Sequence, residues 1–322
     1  MTPLVSVIIP TANRPRYLPR AVESALAGMQ PGEVEVIVVP NGPDQSWRES
    51  LRDFAANPQI RIEPIEKAHA CAARNHGLSV AKGGAILFLD DDDYIYPGAI
   101  SRMLNQLDAN NADICSADVD LVDEKEKLLR QWRQPEETDF VAAILGPSRP
   151  TLSMSHLYRR DILENHLWDE SLPVRQVSDW MLRLCATPGI RWIKLPESVA
   201  AWVQHGGTRI TRGTDPGPAA LRHTADTIIN VVNKLRNNNM LTQERKTAAA
   251  DGLWSAFQKG FMYEPVYWRA IARHAESLAP GRRPPSKIYR SRLTKKIDPV
   301  LLTIVLTPLR WLYYRGLRRF LS

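Results

Sequence analysis

Two phosphate-binding signatures are missing from this chain of 322 residues. No GxGxxG follows the first apolar run, and no GxxxxGK followed by Ser or Thr occurs anywhere, which disfavours a dinucleotide-binding Rossmann domain and a P-loop. Cysteine is scarce: Cys71, Cys115 and Cys185 lie far apart and form no CxxC pair. They read as reduced, unpaired thiols of a cytosolic protein, not as a disulfide or zinc framework. The N-terminal "MTPLVSVIIPT" lacks a basic leader and has only a short apolar run, so no signal peptide is expected and the run reads as a first strand. The most apolar stretch, residues 297–321, is interrupted by Pro308 and Arg310 and falls short of the ~20 residues that span a bilayer.

What is present is ordinary in amount and unusual in placement. Hydrophobic residues make up 44% and charged residues 24%, enough for one large α/β domain or two smaller ones. The net charge of +7 invites a nucleic-acid reading, but its distribution opposes one. From Gly281 to Ser322 there are 11 Lys and Arg against one acid, Asp298; the remaining 31 bases and 34 acids leave residues 1–280 three charges negative. A near-neutral body with a tail that is apolar as well as basic predicts no nucleic-acid partner.

Along the chain, "VSVIIP" (5–10), "VEVIVVP" (34–40), "QIRIEPI" (59–65) and "AILFLD" (85–90) read as strands. Between them lie helical patterns, one with Leu18, Ala21, Val22 and Ala25 on a single stripe and one over "AHACAARNHGLSVA". This alternation predicts a doubly wound, mostly parallel sheet, in which ligands bind beyond the carboxyl ends of the strands. "PTANR", "NGP" and the run Asp90–Asp93 all follow strand ends and so should share one edge. Further on, "ADICSADVDLVDE" alternates like a strand, 151–163 reads as a strand entering a helix, 168–189 as a loop entering a helix, and "RWIKLPESVAAWVQHGGTRIT" as a strand and a polar loop. Residues 219 to 278 are helical in pattern with an Asn-rich break at 237–239, and 280–296 is a basic, proline-broken linker. The tail suits residence at a membrane interface, its cations facing anionic lipid; the alternative is a helix docked on the domain or on a second subunit.

Four consecutive carboxylates at the end of a buried strand repel one another and are costly to desolvate. A hard divalent cation among them removes that cost, since Mg²⁺ and Mn²⁺ take oxygen ligands and often reach only one or two carboxylates, with water and substrate phosphate completing the shell. The plainer alternative is a solvated loop whose acids cap the helix starting near Pro97.

Residues 4 to 210 resemble family 2 of the inverting nucleotide-sugar glycosyltransferases, of the bacterial polysaccharide and glycolipid type. The matching stretches are "VSVIIPTANRPRYLPRAVESAL", "VEVIVVPNG", "AARNHGLSVAKGGAILFLDDDDYIYPGAI" and "WDESLPVRQVSDWMLRL". The resemblance implies a GT-A fold over 1–215, with a nucleotide-binding half (1–110) and an acceptor half (111–215). A helical extension (216–280) and a basic linker with an amphipathic, membrane-associating helix (281–322) would follow. It places Pro10, Thr11 and Asn13 around the base and ribose, Asn41 at the base, and Arg74 near base and phosphates, with Asn75 supporting that helix. Asp90–Asp92 becomes the DxD motif, with Asp91 on the ribose and Asp92 on a Mn²⁺ or Mg²⁺ ion; Asp93 is a supporting or acceptor-side group. His205 matches a histidine that reaches metal or diphosphate, its alternative being a packing residue. Asp179 becomes the general base that deprotonates the acceptor hydroxyl, its alternative being a helix N-cap, a task open to Ser178 as well.

The chain departs from the family pattern at Ala12, where an aromatic residue is common, at Asn41, where Asp is usual, and at Ser178, where Glu is common. Uridine, guanosine and deoxythymidine diphosphate sugars all remain open as donors. The expected activity is metal-dependent transfer of a sugar to a hydroxyl of a lipid-linked or cell-surface polysaccharide acceptor, at the inner face of the cell membrane. The rivals are a nucleotidyltransferase, whose glycine-rich basic loop "PTANRPR" matches only loosely, and a non-catalytic nucleotide-sugar-binding scaffold.

Overall fold

The computed structural model describes residues 3–147, 151–206 and 217–312. The end of the polar loop after His205, and the last ten residues with Tyr313 and Tyr314, lie outside the described residues. The chain divides into two compact units, Met1–Glu136 with Pro150–Arg212, and Glu137–Arg149 with Gly213–Ser322.

The first unit is built on one mixed sheet. β1 (Val5–Thr11) and β2 (Val34–Pro40) are buried along their whole length, as β-branched runs covered on both faces must be. α1 (Leu18–Leu26) lies between them in sequence, and α2 (Trp47–Ser50) follows β2. β3 (Ile60–Ile62), α3 (Ala70–Val80) and β4 (Ala85–Phe88) complete the first half, and β1 to β4 run parallel in the order β3-β2-β1-β4. The two-residue β5 (Tyr94–Ile95), α4 (Ala99–Ala109) and the hairpin of β6 (Ile114–Asp123) and β7 (Leu128–Trp132) come next. After α5 (Phe140–Leu145), which belongs to the second unit, the chain returns as β8 (His156–Arg159), α6 (Gln176–Leu184) and the 13-residue β9 (Trp192–Gln204).

The sheet is mostly parallel, as expected, with three exceptions, the first being β7, antiparallel to β6. β8 lies antiparallel between β4 and β6, and β5 lies antiparallel to β9. The helix expected after the strand in 151–163 is instead a single 3-10 turn, Arg160–Leu163.

Side-chain alternation assigns the layers. Val5, Val7, Ile9, Ala85 and Leu87 face the stripe Leu18, Ala21, Val22, Ala25 of α1 and the Met103 side of α4. Ile8 and Phe88, partners in register, face the opposite way. There α3 approaches so closely that a Cβ on Gly77 would sit 2.5 Å from Ile8 Cγ2. On the same face Trp180 of α6 packs edge-on against Phe88 and Tyr158, with ring centroids 5.6 and 5.2 Å apart. Because β1, β2 and β4 are parallel, their carboxyl ends fall on one edge, where Thr11, Asn41 and Asp90–Asp93 follow.

The second unit is helical: α5, α7 (Gly217–Asn237), α8 (Gln243–Gly260), α9 (Pro265–Leu278), α10 (Lys287–Arg290) and α11 (Pro299–Leu312). Its core holds Leu221, Ile228, Leu235, Trp254, Phe257 and Trp268. Asp139 caps α5 by accepting from Ala142 N–H at 2.7 Å and also receives the Arg245 guanidinium at 2.7 Å. α11 is fastened through Leu302 and a 2.8 Å hydrogen bond between Tyr289 and Thr303, while Leu301 and Val305 stay exposed. No helix among the described residues is long and apolar enough to cross a membrane.

Candidate functional site

Four elements deliver side chains to the carboxyl edge of the sheet. From the end of β1, the Thr11 hydroxyl donates to Asp91 Oδ2 at 2.7 Å. A buried charge-assisted bond of this kind contributes about 1.5–3 kcal/mol. The turn after β1 brings Asn13, left-handed at φ 58°, whose backbone N–H donates to Asp44. It also brings Arg14, whose Nη1 lies 3.0 Å from Asp91 Oδ1 and 2.7 Å from Asp92 Oδ2. From the end of β9, His205 Nε2 donates to Asp92 Oδ2 at 2.8 Å, and its ring stacks on Tyr17 at 4.5 Å.

Asp91 and Asp92 are buried, at 4% and 6% exposure. Burial pushes the Asp91 carboxyl up to about 7, against the opposing pull of Arg14 and the Thr11 hydrogen bond. Burial also works against the Arg14 charge, but the facing Asp91 and Asp92 outweigh it and hold the guanidinium above its ordinary value. The two shifts have different origins: burial resists the Asp91 charge, whereas Asp91 and Asp92 favour the Arg14 charge against its own burial.

The neighbouring acids have other tasks. Asp90 receives Arg74 Nη2 at 2.6 Å, and Asp93 Oδ1 accepts the backbone N–H of Val203 at 2.9 Å. Arg74 is itself buried, stacks over Trp168 at 4.7 Å, and reaches the Gln176 side chain at 3.3 Å. Gln176 begins α6, so the series Asp90, Arg74, Gln176 brings the start of that helix to the acid run. Asp179 stands in the first turn of α6, buried at 4%, and its Oδ2 accepts from Arg183 Nε at 2.8 Å. It lies inside the helix, beyond the N-cap residue Arg175, so the capping alternative does not describe it. Burial pushes the thiol of nearby Cys71 up to about 11, which disfavours the thiolate.

The sequence-derived site residues therefore converge in part. Thr11 meets Asp91 and His205 meets Asp92, with Arg14 bridging the two acids; Asp90 and Arg74 form an adjoining pair; Asn13 contributes its backbone to the Asp44 turn; Pro10 is buried within β1. Asn41 donates its side-chain N–H to Thr11 O at 2.9 Å, a bond an aspartate could not make, which accounts for the amide at this position. Asn75 holds the backbone of Trp168 at both ends, donating to its carbonyl at 3.0 Å and accepting from its N–H at 2.8 Å. Sequence reasoning missed Arg14, Tyr17 and Arg183. The first two stand in "NRPRYLPR", where three arginines and a tyrosine directly after a strand end were the available signal; Arg183 was legible as the i+4 neighbour of Asp179.

Among the described residues no group of three or more His, Cys, Asp and Glu converges as a metal cage. Asp92 Oδ2 and His205 Nε2, 2.8 Å apart, supply two donors. That set fits Mg²⁺ or Mn²⁺ held by one or two protein groups, with water and diphosphate oxygens making up the rest.

The family model for glycosyl transferase family 2 matches residues 6–181. The chain is 28% identical over 204 residues to the uncharacterized glycosyltransferase EpsJ of Bacillus subtilis (strain 168), covering 56% of each. It is 30% identical over 135 residues to the succinoglycan biosynthesis protein ExoO of Rhizobium meliloti (strain 1021), covering 42% of this chain and 38% of that protein. It thus spans less than two thirds of either relative. Among solved structures, S. aureus TarS 1-349 in complex with UDP-GlcNAc superposes with a TM-score of 0.58 at 16% identity, over 85% of this chain and 90% of the other. At that identity the likeness is one of fold.

Proposed function

The chain belongs to glycosyl transferase family 2 and has a GT-A fold, and from that membership we propose that it transfers a sugar, with inversion, from a nucleoside diphosphate sugar to an acceptor hydroxyl. The observation that carries the proposal is the convergence of Thr11, Arg14, Asp91, Asp92 and His205 beyond the strand ends, with the start of α6 tied to Asp90 through Arg74. The UDP-GlcNAc and UDP complexes of TarS and the succinoglycan role of ExoO support a nucleotide-sugar donor and a polysaccharide-type acceptor.

In this reading Asp91 and Thr11 hold the ribose side of the donor, with Asn41 at the base. Asp92 and His205 would hold Mn²⁺ or Mg²⁺, which stabilises negative charge on the departing diphosphate. Arg74, stacked on Trp168, orients Asp90 and lends positive potential to the diphosphate side. Asp179 takes the proton from the acceptor hydroxyl as its oxygen attacks the anomeric carbon opposite the leaving group. Arg183 holds the Asp179 carboxylate in place.

The test is Asp179→Asn. Transfer from a nucleotide-sugar donor should fall by roughly 10²–10⁴-fold, the usual contribution of a positioned base, while nucleotide-diphosphate binding followed calorimetrically stays within about twofold. Unimpaired transfer would remove Asp179 from the base role, and an unmodified chain that binds nucleotide sugars without turnover would favour the scaffold reading.

A further inference from the structure

The oxygen assigned to the divalent ion is already held by a cation of the chain itself. Arg14 Nη1 lies 2.7 Å from Asp92 Oδ2, the same oxygen that His205 Nε2 meets at 2.8 Å, and 3.0 Å from Asp91. One guanidinium nitrogen thus bridges the two buried acids in the position where a metal ion would neutralise them. Two cations cannot share that oxygen at coordination distance, because like charges a few ångström apart repel strongly in a buried site.

Arg14 is also placed to leave. Its side chain is 23% exposed, on the turn between β1 and α1, where the Arg14 carbonyl accepts from Tyr17 N–H at 3.2 Å and from Leu18 N–H at 3.4 Å. The backbone stays anchored while the long side chain swings. A planar guanidinium displaced from a carboxylate pair suits a diphosphate, which offers the same fork of oxygens.

Resting on the assignment of Asp92 and His205 as metal donors, we propose that Arg14 is an internal stand-in for the divalent ion. It neutralises Asp91 and Asp92 until nucleotide diphosphate arrives and draws the guanidinium away, so metal and nucleotide bind together and metal alone binds weakly. Binding free energies of this kind are reciprocal: whatever the nucleotide adds to metal affinity, the metal adds to nucleotide affinity.

The experiment titrates Mn²⁺ into the full chain, counting free ion by electron paramagnetic resonance, with and without an equal mixture of UDP, GDP and dTDP. Arg14→Gln should tighten nucleotide-free Mn²⁺ binding about tenfold, a change of about 1.4 kcal/mol, and should shrink the extra affinity that nucleotide confers. Unchanged or weaker nucleotide-free binding overturns the proposal. Should Arg14→Gln fail to fold, Arg14→Lys keeps the charge on a shorter, more strongly hydrated side chain that holds the two acids less well, and at least about twofold tightening is then expected, equal affinity again overturning it. Mn²⁺ binding that needs nucleotide but ignores Arg14 sinks this inference and leaves the metal assignment standing. No Mn²⁺ binding by either protein, with or without nucleotide, sinks both.

Discussion

At the residue scale, the four-aspartate run is tolerable because its members have different partners. Asp90 is bound by Arg74 of α3, Asp91 by Thr11 and Arg14, Asp92 by Arg14 and His205, and Asp93 by the Val203 amide of β9. The two central acids form the candidate site, and the outer two staple a helix and a strand to it. The run was legible as a cation-seeking feature, but its division of labour was not. Thr11 lies 80 positions from Asp91, and His205 lies 113 from Asp92, separations that no local pattern encodes. The raised Asp91 value of about 7 has a consequence for stability. An acid whose folded value exceeds its unfolded one holds its proton more tightly when folded, so its stabilising contribution is full at low pH and declines as pH rises from about 4 to about 7. In buffer without added metal, the melting temperature of the natural chain relative to Asp91→Asn should fall across that window; a constant difference would refute the assignment.

At the element scale, the strongest patterns gave the clearest reading. The stripe on α1 and the β-branched runs of β1 and β2 were legible because each carries its own periodicity. β5 is only two residues long, and β7, "LLRQW", is an exposed edge strand with no apolar-polar alternation, so neither announces itself. The antiparallel insertion of β8 was invisible for a related reason: a short buried strand looks the same whichever way it runs. One junction shows how tightly these elements fit. Gly28, after α1, has φ +80°, and a Cβ there would stand 2.3 Å from the backbone nitrogen of Gly98, the left-handed N-cap of α4. That nitrogen donates to Ala27 O at 3.1 Å, joining the end of α1 to the start of α4. Gly28→Ala should cost about 2 kcal/mol or more, combining left-handed strain with a backbone clash, and a urea midpoint equal to that of the natural chain would contradict this packing.

At the scale of the whole molecule, the charge asymmetry seen in the sequence has a structural counterpart in the second unit. Leu301 and Val305 are 54% and 64% exposed on α11, after the basic segment 282–296. Apolar side chains beside a cluster of cations suit the headgroup boundary of an anionic membrane, where each cation adds about 1 kcal/mol. The full chain should therefore float with vesicles containing phosphatidylglycerol, and Leu301→Glu with Val305→Glu should reduce the floating fraction several-fold. Equal flotation of the variant would assign the exposed face another partner.

The ladder between β6 and β9 works as a ruler for His205. Ala117 pairs with Leu195, Asp118 with Ser198 and Val119 with Ala200, so β9 carries three surplus residues there; from Ala200 to Gln204 the two strands then advance in step. Length changes between Leu195 and Ala200 fall where the ladder is already out of step and can be absorbed as slack. Beyond Ala200 every residue is counted. One inserted residue would turn the histidine to the opposite face of the sheet, and two would restore the face but overshoot Asp92 by about 6.6 Å.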